Sequence, residues 1–232
     1  MLPRPSLIGV FSGLWFPLRS YGASPIPLLI GKSPICMLRW LMTNEIDMRR
    51  QACAQTAADI LASPHVYIDT ETSGLHNPRI VQIAIADSDG NALLNTLVHQ
   101  RWAIPSKATA IHGITTEMTK AAPRWAEILP AVVALTAGKT AIIYNTAFDL
   151  GAIAHTCAIS AVPCPRLSTG CAMTLYAEYA GEWSDYWESY RFIRSSRAAA
   201  AFGHLHQHAH DALSDCIATR AVMHGMANSI KD

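Results

Sequence analysis

The apolar run Val66-Tyr67-Ile68 passes directly into Asp69-Thr70-Glu71, and Ser73-Gly74 follows at once. Branched and aromatic residues favour a strand, and the Ser-Gly pair ends it in a turn. Successive strand side chains point to opposite faces, so Asp69 and Glu71 project from one face near the strand's end. Two carboxylates converging there repel each other unless a cation lies between them. Oxygen-only ligands select Mg²⁺ or Mn²⁺ over zinc. An Asp-x-Glu also occurs as a solvated strand end, so the rest of the chain must decide.

The flanking sequence supplies an α/β frame. Residues 48–62, rich in Ala, Gln and Arg, predict a helix that stops before Ser63-Pro64. Ile80–Ala86 and residues 92–99 predict two more strands, joined through Asp87-Ser88-Asp89-Gly90-Asn91 as an antiparallel hairpin. Residues 106–120 predict two short helical pieces broken at His112-Gly113, and 123–137 an amphipathic helix that Pro130 kinks or breaks. A strand over 140–144 leads into a helix over 147–160. A short strand is expected near Leu167, and helices near 171–179, 195–202 and 211–227. A hairpin followed by β-α alternation implies a mixed sheet with helices on both faces.

Length and composition bound the rest. The 232 residues suit one α/β domain, over about 48–230, plus an appendage. Eighteen basic and seventeen acidic residues leave no global basic field. Every acidic residue lies from Glu45 onward, whereas Arg4, Arg19, Lys32 and Arg39 precede it. Residues 1–43 carry Pro3, Pro5, Pro17, Pro25, Pro27 and Pro34 without sustained periodicity, and read as a disordered tail or an over-extended reading frame whose true start is Met42 or Met48. The apolar run over 7–18, broken by Ser12-Gly13, is too short to span a bilayer and makes a poor signal peptide. Six cysteines without a C-x-x-C pair read as reduced buried thiols, so a cytoplasmic protein with no membrane partner is expected.

Two further junctions carry acidic residues. Tyr144-Asn145-Thr146-Ala147-Phe148-Asp149 places Asp149 just past a strand's C-terminal end, where ligands gather in open α/β sheets; Asp149 also serves as an ordinary helix-start acid. His210 and Asp215 straddle the start of the last helix. Five helical positions separate side chains by about 140°, so His210 is expected in the loop before that helix or its first turn, overhanging a site fed by Asp215.

Taken together, Asp69 and Glu71, Asp149, and His210 with Asp215 resemble in order and spacing the three motifs of the DEDDh 3′-to-5′ exonucleases. This ribonuclease H-like group includes the proofreading epsilon subunit of bacterial DNA polymerase III. Ile111-His112-Gly113-Ile114-Thr115 is similar to a loop of that family, and the resemblance covers roughly residues 66–226. Tyr144 and Ser73 depart from it, standing where many members have His and Thr. The resemblance implies a ribonuclease H-like, mixed five-stranded sheet, with an antiparallel hairpin plus parallel strands, flanked by helices. It implies two Mg²⁺ or Mn²⁺ ions held by Asp69, Glu71, Asp149 and Asp215, with His210 as general base. Thr70, Leu75, His112, Asn145 and Phe148 would contact the terminal nucleotide, although core packing is an equal alternative for Leu75 and Phe148.

Lys107 and the arginines 191, 194 and 197, interleaved with Tyr186, Trp187, Tyr190 and Phe192, suit a single strand with stacked bases; a solvated loop explains them equally. His204, His206, His208 and His210 alternate, and are expected to form a variable loop in place of a separate metal site. The implied activity is hydrolysis of DNA from its 3′ end to nucleoside 5′-monophosphates, in proofreading, repair or DNA turnover, with a DNA polymerase as a partner in trans in the first case. An exoribonuclease or oligonucleotide nuclease uses the same carboxylates. A non-catalytic nucleic-acid-binding or polymerase-accessory module is the reading from another class.

Overall fold

A computed structural model of the chain describes residues 34–205 and 210–230. The chain divides into two units, Met1–Leu41 and Met42–Asp232, and among the described residues every strand lies in the second. Expectations for residues 1–33, His206 and His208 lie outside the described residues.

Helix α1 runs over Pro34–Ala62, so it starts earlier than residue 48 and includes residues 34–43, for which the sequence pattern predicts no element. The reason is local. Proline is tolerated in a helix's first turn, and no Gly or Pro interrupts the chain from Ile35 to Ala62. Strands β1 (His65–Thr72), β2 (Ile80–Ala86) and β3 (Ala92–Leu97) form antiparallel neighbours. Strand β4 (Thr140–Ile143) adds parallel to β1, and β5 (Ser168–Cys171) parallel to β4. The order β3-β2-β1-β4-β5 is the expected mixed five-stranded sheet.

Helix α2 covers Ser106–His112 and ends at Gly113, whose φ of 75° is the left-handed cap that glycine adopts without strain. The second helical piece expected after it is a run of turns. There Thr115 Oγ1 accepts from the Met118 N–H and Thr116 Oγ1 from the Ile104 N–H, side-chain bonds that compete with a helix. Helix α3 (Trp125–Thr136) runs through Pro130 unbroken. Pro130 and Ala126, whose carbonyl loses its helical donor, are both exposed, so water can satisfy that carbonyl. Helix α4 covers Thr146–Ile159, α5 Ala172–Ala180, α6 Ser195–Ala200 and α7 Ala212–Ala227. A small hairpin of β6 (Trp183–Ser184) and β7 (Ser189–Tyr190) was not anticipated.

Strand alternation divides the core. Val66 and Ile68 of β1 pack with Ile83, Ile85, Ile143, Trp125 and Ile153 on the α3 and α4 face. Tyr67 points the other way, with Ala84, Ile142 and the α7 residues Ala212, Cys216 and Val222. Small side chains at this interface let α7 lie close to the sheet, and the Cys216 thiol contacts the Ala84 carbonyl at 3.7 Å. Asp69 and Glu71 share Tyr67's parity, so β1 delivers both carboxylates to the face that α7 covers.

Candidate active site

The C-terminal end of β1 is the centre of the site. Asp69 and Glu71 face the start of α7, which brings Asp215 opposite them, while Thr70 points toward α4 and donates from Oγ1 to Asp149 Oδ1 at 2.7 Å. Glu71 and Asp149 are buried, at 8% and 3% exposure. His210 is exposed on the rim and sits in the loop just before α7, as the helical-angle argument required. Its backbone takes a left-handed φ of 69°, and its N–H donates to Asp215 Oδ2 at 3.0 Å. Ligand atoms of Glu71, His210 and Asp215 lie within 4.8 Å of one another.

Crowding these acids is electrostatically costly. Burial, followed by Asp215, Asp149 and Asp211, pushes the Glu71 carboxyl up to about 8. Burial also raises Asp149, to about 7, against the hydrogen bond from Thr70 that favours its charged form. Asp69 is held well above the usual carboxylate range, first by burial and then by Asp149, Asp215, Glu71 and Asp211. A divalent cation relieves this repulsion, and the crowded carboxylate oxygens offer it a hard donor set with the His210 imidazole beside them. The residues therefore fit a hard metal ion.

Of the residues expected to touch substrate, His112 is fixed most firmly. The Ile114 N–H donates to His112 Nδ1 at 3.0 Å, which leaves the proton on Nε2, facing the Thr72 carbonyl at 3.2 Å. Burial first, and then His210, lower the His112 pKa against the raising effect of the Thr72 bond, favouring the neutral ring. Leu75 stands 80% exposed on the turn after β1, so the core-packing alternative fails for it. Phe148 and Asn145 are half-buried at the start of α4, and Phe148 is in none of the buried clusters. Tyr144, the departure from the family pattern, is buried and donates its hydroxyl to the Ile193 carbonyl, tying the segment before α6 to the end of β4. Arg191, Arg194 and Arg197 are exposed, but Arg197 pairs with Glu182 at 2.8 Å, so the three do not form one free cluster.

Two residues of the site have no role that the sequence pattern assigns. Gln82 lies opposite Glu71 on β2 and is 8% exposed. Its amide nitrogen donates to Asn95 Oδ1 and Asp211 Oδ2, and its oxygen accepts from the Ala212 N–H at 3.4 Å. Asp211 in turn caps α7, accepting from the Ser214 N–H at 3.1 Å. This clamp sets the start of α7, and hence His210 and Asp215, against the sheet. Its one local signal was a polar residue inside Ile-Val-Gln-Ile-Ala-Ile-Ala. Gln82→Leu is expected to destabilise the fold by about 1–3 kcal/mol, because it strands buried polar groups, and to lower activity with it; urea denaturation reads the first effect.

Comparison with known proteins assigns the family. Residues 66–223 match the RNase T exonuclease family. The uncharacterized exonuclease CP81 of Escherichia phage 186 is 39% identical over 182 residues, 75% of this chain and 93% of that one. The chain belongs to the RNase T exonuclease family. Among solved structures, exonuclease X in complex with 5′ overhanging duplex DNA is 25% identical, with a TM-score of 0.53 over 72% of this exonuclease and 93% of that chain. The nuclease domain of 3′hExo, a DEDDh family member bound to rAMP, shares the fold at 11% identity and a TM-score of 0.57, over 72% and 94%. E. coli exonuclease I in complex with a dA16 oligonucleotide superimposes with a TM-score of 0.56 at 22% identity, and the chain spans only 39% of its length. The exonuclease is thus a nuclease by family, and it shares its fold with a DEDDh family member. Among the described residues no helix is long and apolar enough to cross a membrane.

Proposed function

We propose that this exonuclease hydrolyses DNA stepwise from the 3′ end, releasing nucleoside 5′-monophosphates, with two Mg²⁺ or Mn²⁺ ions. The observation that carries the reading is the convergence of Asp69, Glu71, Asp149 and Asp215, from one strand end and two helix starts, with His210 on their rim. Asp69, Glu71 and Asp215 would hold the ions, with Asp149 joining them directly or through water. Bound there, they would stabilise charge on the attacking and leaving oxygens at phosphorus. His210 removes the proton from the attacking water. The Asp215 side chain accepts from the His210 backbone, so one residue helps to position both the carboxylate set and the base. Thr70 holds Asp149 in place. Leu75 supplies an exposed apolar surface for the terminal base, and His112, Asn145 and Phe148 border it. In proofreading the partner is a polymerase in trans; repair or DNA turnover needs none. The place of action is the cytoplasm.

The test is degradation of 3′-labelled and 5′-labelled single-stranded DNA and RNA with Mg²⁺ or EDTA. Metal-dependent loss from the 3′ end, faster on DNA, is expected, and His210→Ala should lower the rate by about 10²–10⁴-fold, the usual contribution of a general base. Equal rates on RNA would move the substrate to oligonucleotides of either sugar. Folded wild-type protein that cleaves nothing would favour the accessory-module reading.

A further inference from the structure

Away from the carboxylates, a cleft of about 540 Å³ opens between the end of β3 and helices α3 and α4. That volume falls in the range of ligand sites. Three arginines, Arg79, Arg101 and Arg124, line it together with Trp102, His99 and Gln100. Among the described residues the ion pairs are Lys120 with Glu117 and Arg197 with Glu182, so none of the three arginines has a carboxylate partner. The nearest acid in sequence, Glu127, is engaged by the Arg124 backbone N–H at 2.7 Å, where it caps α3.

The cleft is built, with its central guanidinium fixed. Arg79 donates from Nε to Gln100 Oε1 at 3.2 Å and from an Nη to the Ala103 carbonyl at 3.0 Å. Gln100 is itself buried and held, its amide nitrogen donating to the Ile80 and Val98 carbonyls at 2.7 and 3.1 Å. Trp102 is 48% exposed, with the guanidinium carbons of Arg79 and Arg101 at 5.5 and 5.4 Å from its ring centre. A part-buried cation without a counter-ion is a standing electrostatic cost, and an incoming anion removes it.

The location connects this cleft to the site. Arg79 and Ser73 exchange hydrogen bonds, the Ser73 N–H to the Arg79 carbonyl at 2.8 Å and the Arg79 N–H to Ser73 Oγ at 3.1 Å. Ser73 is two residues beyond Glu71, and exposed Leu75 lies on the turn between them and Arg79.

We propose that the Arg79, Arg101 and Arg124 cleft binds the phosphodiester backbone of the nucleic-acid substrate at nucleotides away from the scissile bond, with a base resting against Trp102. This assignment rests on the exonuclease reading for the identity of its ligand. Planar guanidiniums suit phosphate oxygens, and an indole face suits any base, so the site grips a strand without reading its sequence. It lengthens the footprint of an otherwise near-neutral protein.

Arg101 and Arg124 are exposed, so Arg101→Ser/Arg124→Ser removes two charges without disturbing the core. Fluorescence anisotropy in EDTA, with a single-stranded DNA 20-mer and with the same strand annealed to a complement, reads the outcome independently of hydrolysis. The expected result is a roughly tenfold weaker Kd and a salt slope shallower by about 1.4, since each phosphate that a side chain neutralises on a single strand adds about 0.7 to the slope. Weakening on the single strand assigns the cleft to the scissile strand, and weakening confined to the duplex assigns it to the complement. In Mg²⁺ the same variant should show raised KM with kcat retained. Lys139→Ser/Arg166→Ser removes two charges around the N-terminal ends of β4 and β5 and should leave binding unchanged. Unchanged Kd and slope in the cleft variant, or equal weakening in the Lys139 and Arg166 variant, would overturn the proposal. Wild-type protein that binds but never cleaves would refute the exonuclease reading while the anisotropy result still decides the cleft.

Discussion

Asp69→Asn is expected to lower hydrolysis on the order of 10³-fold or more and, at neutral pH without metal, to raise the melting temperature. The two effects have one cause. Burial and the neighbouring Asp149, Asp215, Glu71 and Asp211 hold the Asp69 carboxyl well above its ordinary range, so the folded, metal-free protein carries uncompensated repulsion. Asparagine keeps the shape and removes the charge. A protein of this size gains about 2–4 °C in Tm per kcal/mol, so relief of one such carboxylate is readable by calorimetry. A carboxylate that served only the fold would respond oppositely, losing stability and sparing activity. An Asp69→Asn protein that melts lower and still degrades DNA at the wild-type rate would remove Asp69 from the site.

The same acids show how much of the site a sequence discloses. Asp69 and Glu71 were legible because alternation along a strand is a local rule, and Asp149 because a strand-to-helix junction has a recognisable chemistry. Helical geometry placed His210 before α7, since five positions on one helix would have turned it away from Asp215, whereas its role as base is what the family resemblance implies. Gln82 was hidden because its partner Asp211 is 129 residues away, and a single glutamine in an apolar strand does not announce what it clamps. The arginine cleft was hidden for the same reason, its three cations being separated along the chain by β2, β3, α2 and the turns that follow it.

Local structure failed where it was too short or too uniform to leave a period. The hairpin Trp183–Ser184 with Ser189–Tyr190 offers two residues per strand, which is below any periodicity test. Helix α1 begins at Pro34, earlier than the expected residue 48, because the Ala-rich composition that marks the helix in sequence starts only at 48, whereas the first turn is a place where proline is accepted. Tyr144 stands out in sequence as a departure from a site pattern. Its hydroxyl on the Ile193 carbonyl gives it a different occupation, holding the chain before α6, which leaves the carboxylate cluster intact.

Metal-free protein is expected to lose thermal stability as pH rises from about 4.5 to about 8, and divalent cation should flatten that dependence. Glu71 is raised from 4.5 to about 8 and Asp149 from 3.8 to about 7, burial being the first cause in both. Each group binds its proton more tightly folded than unfolded. Below the unfolded values both states are protonated and no penalty exists. Between the unfolded and folded values the native state retains protons that the unfolded chain has released, so the free energy of unfolding falls with pH. Above about 8 both groups are ionised in either state and the full penalty remains. The expected fall in Tm is roughly 5–10 °C, from a few kcal/mol at about 2–4 °C each. A cation binds only the folded, ionised cluster, so millimolar Mg²⁺ or Mn²⁺ should raise Tm at pH 8 and do little at pH 5, where protons compete. Melting curves in EDTA and in metal across this window, repeated on Asp69→Asn, read the effect directly. A Tm in EDTA that rises toward pH 8, or metal stabilisation equal at both ends, would mean that the four acids are not the coupled cluster that binds the ion.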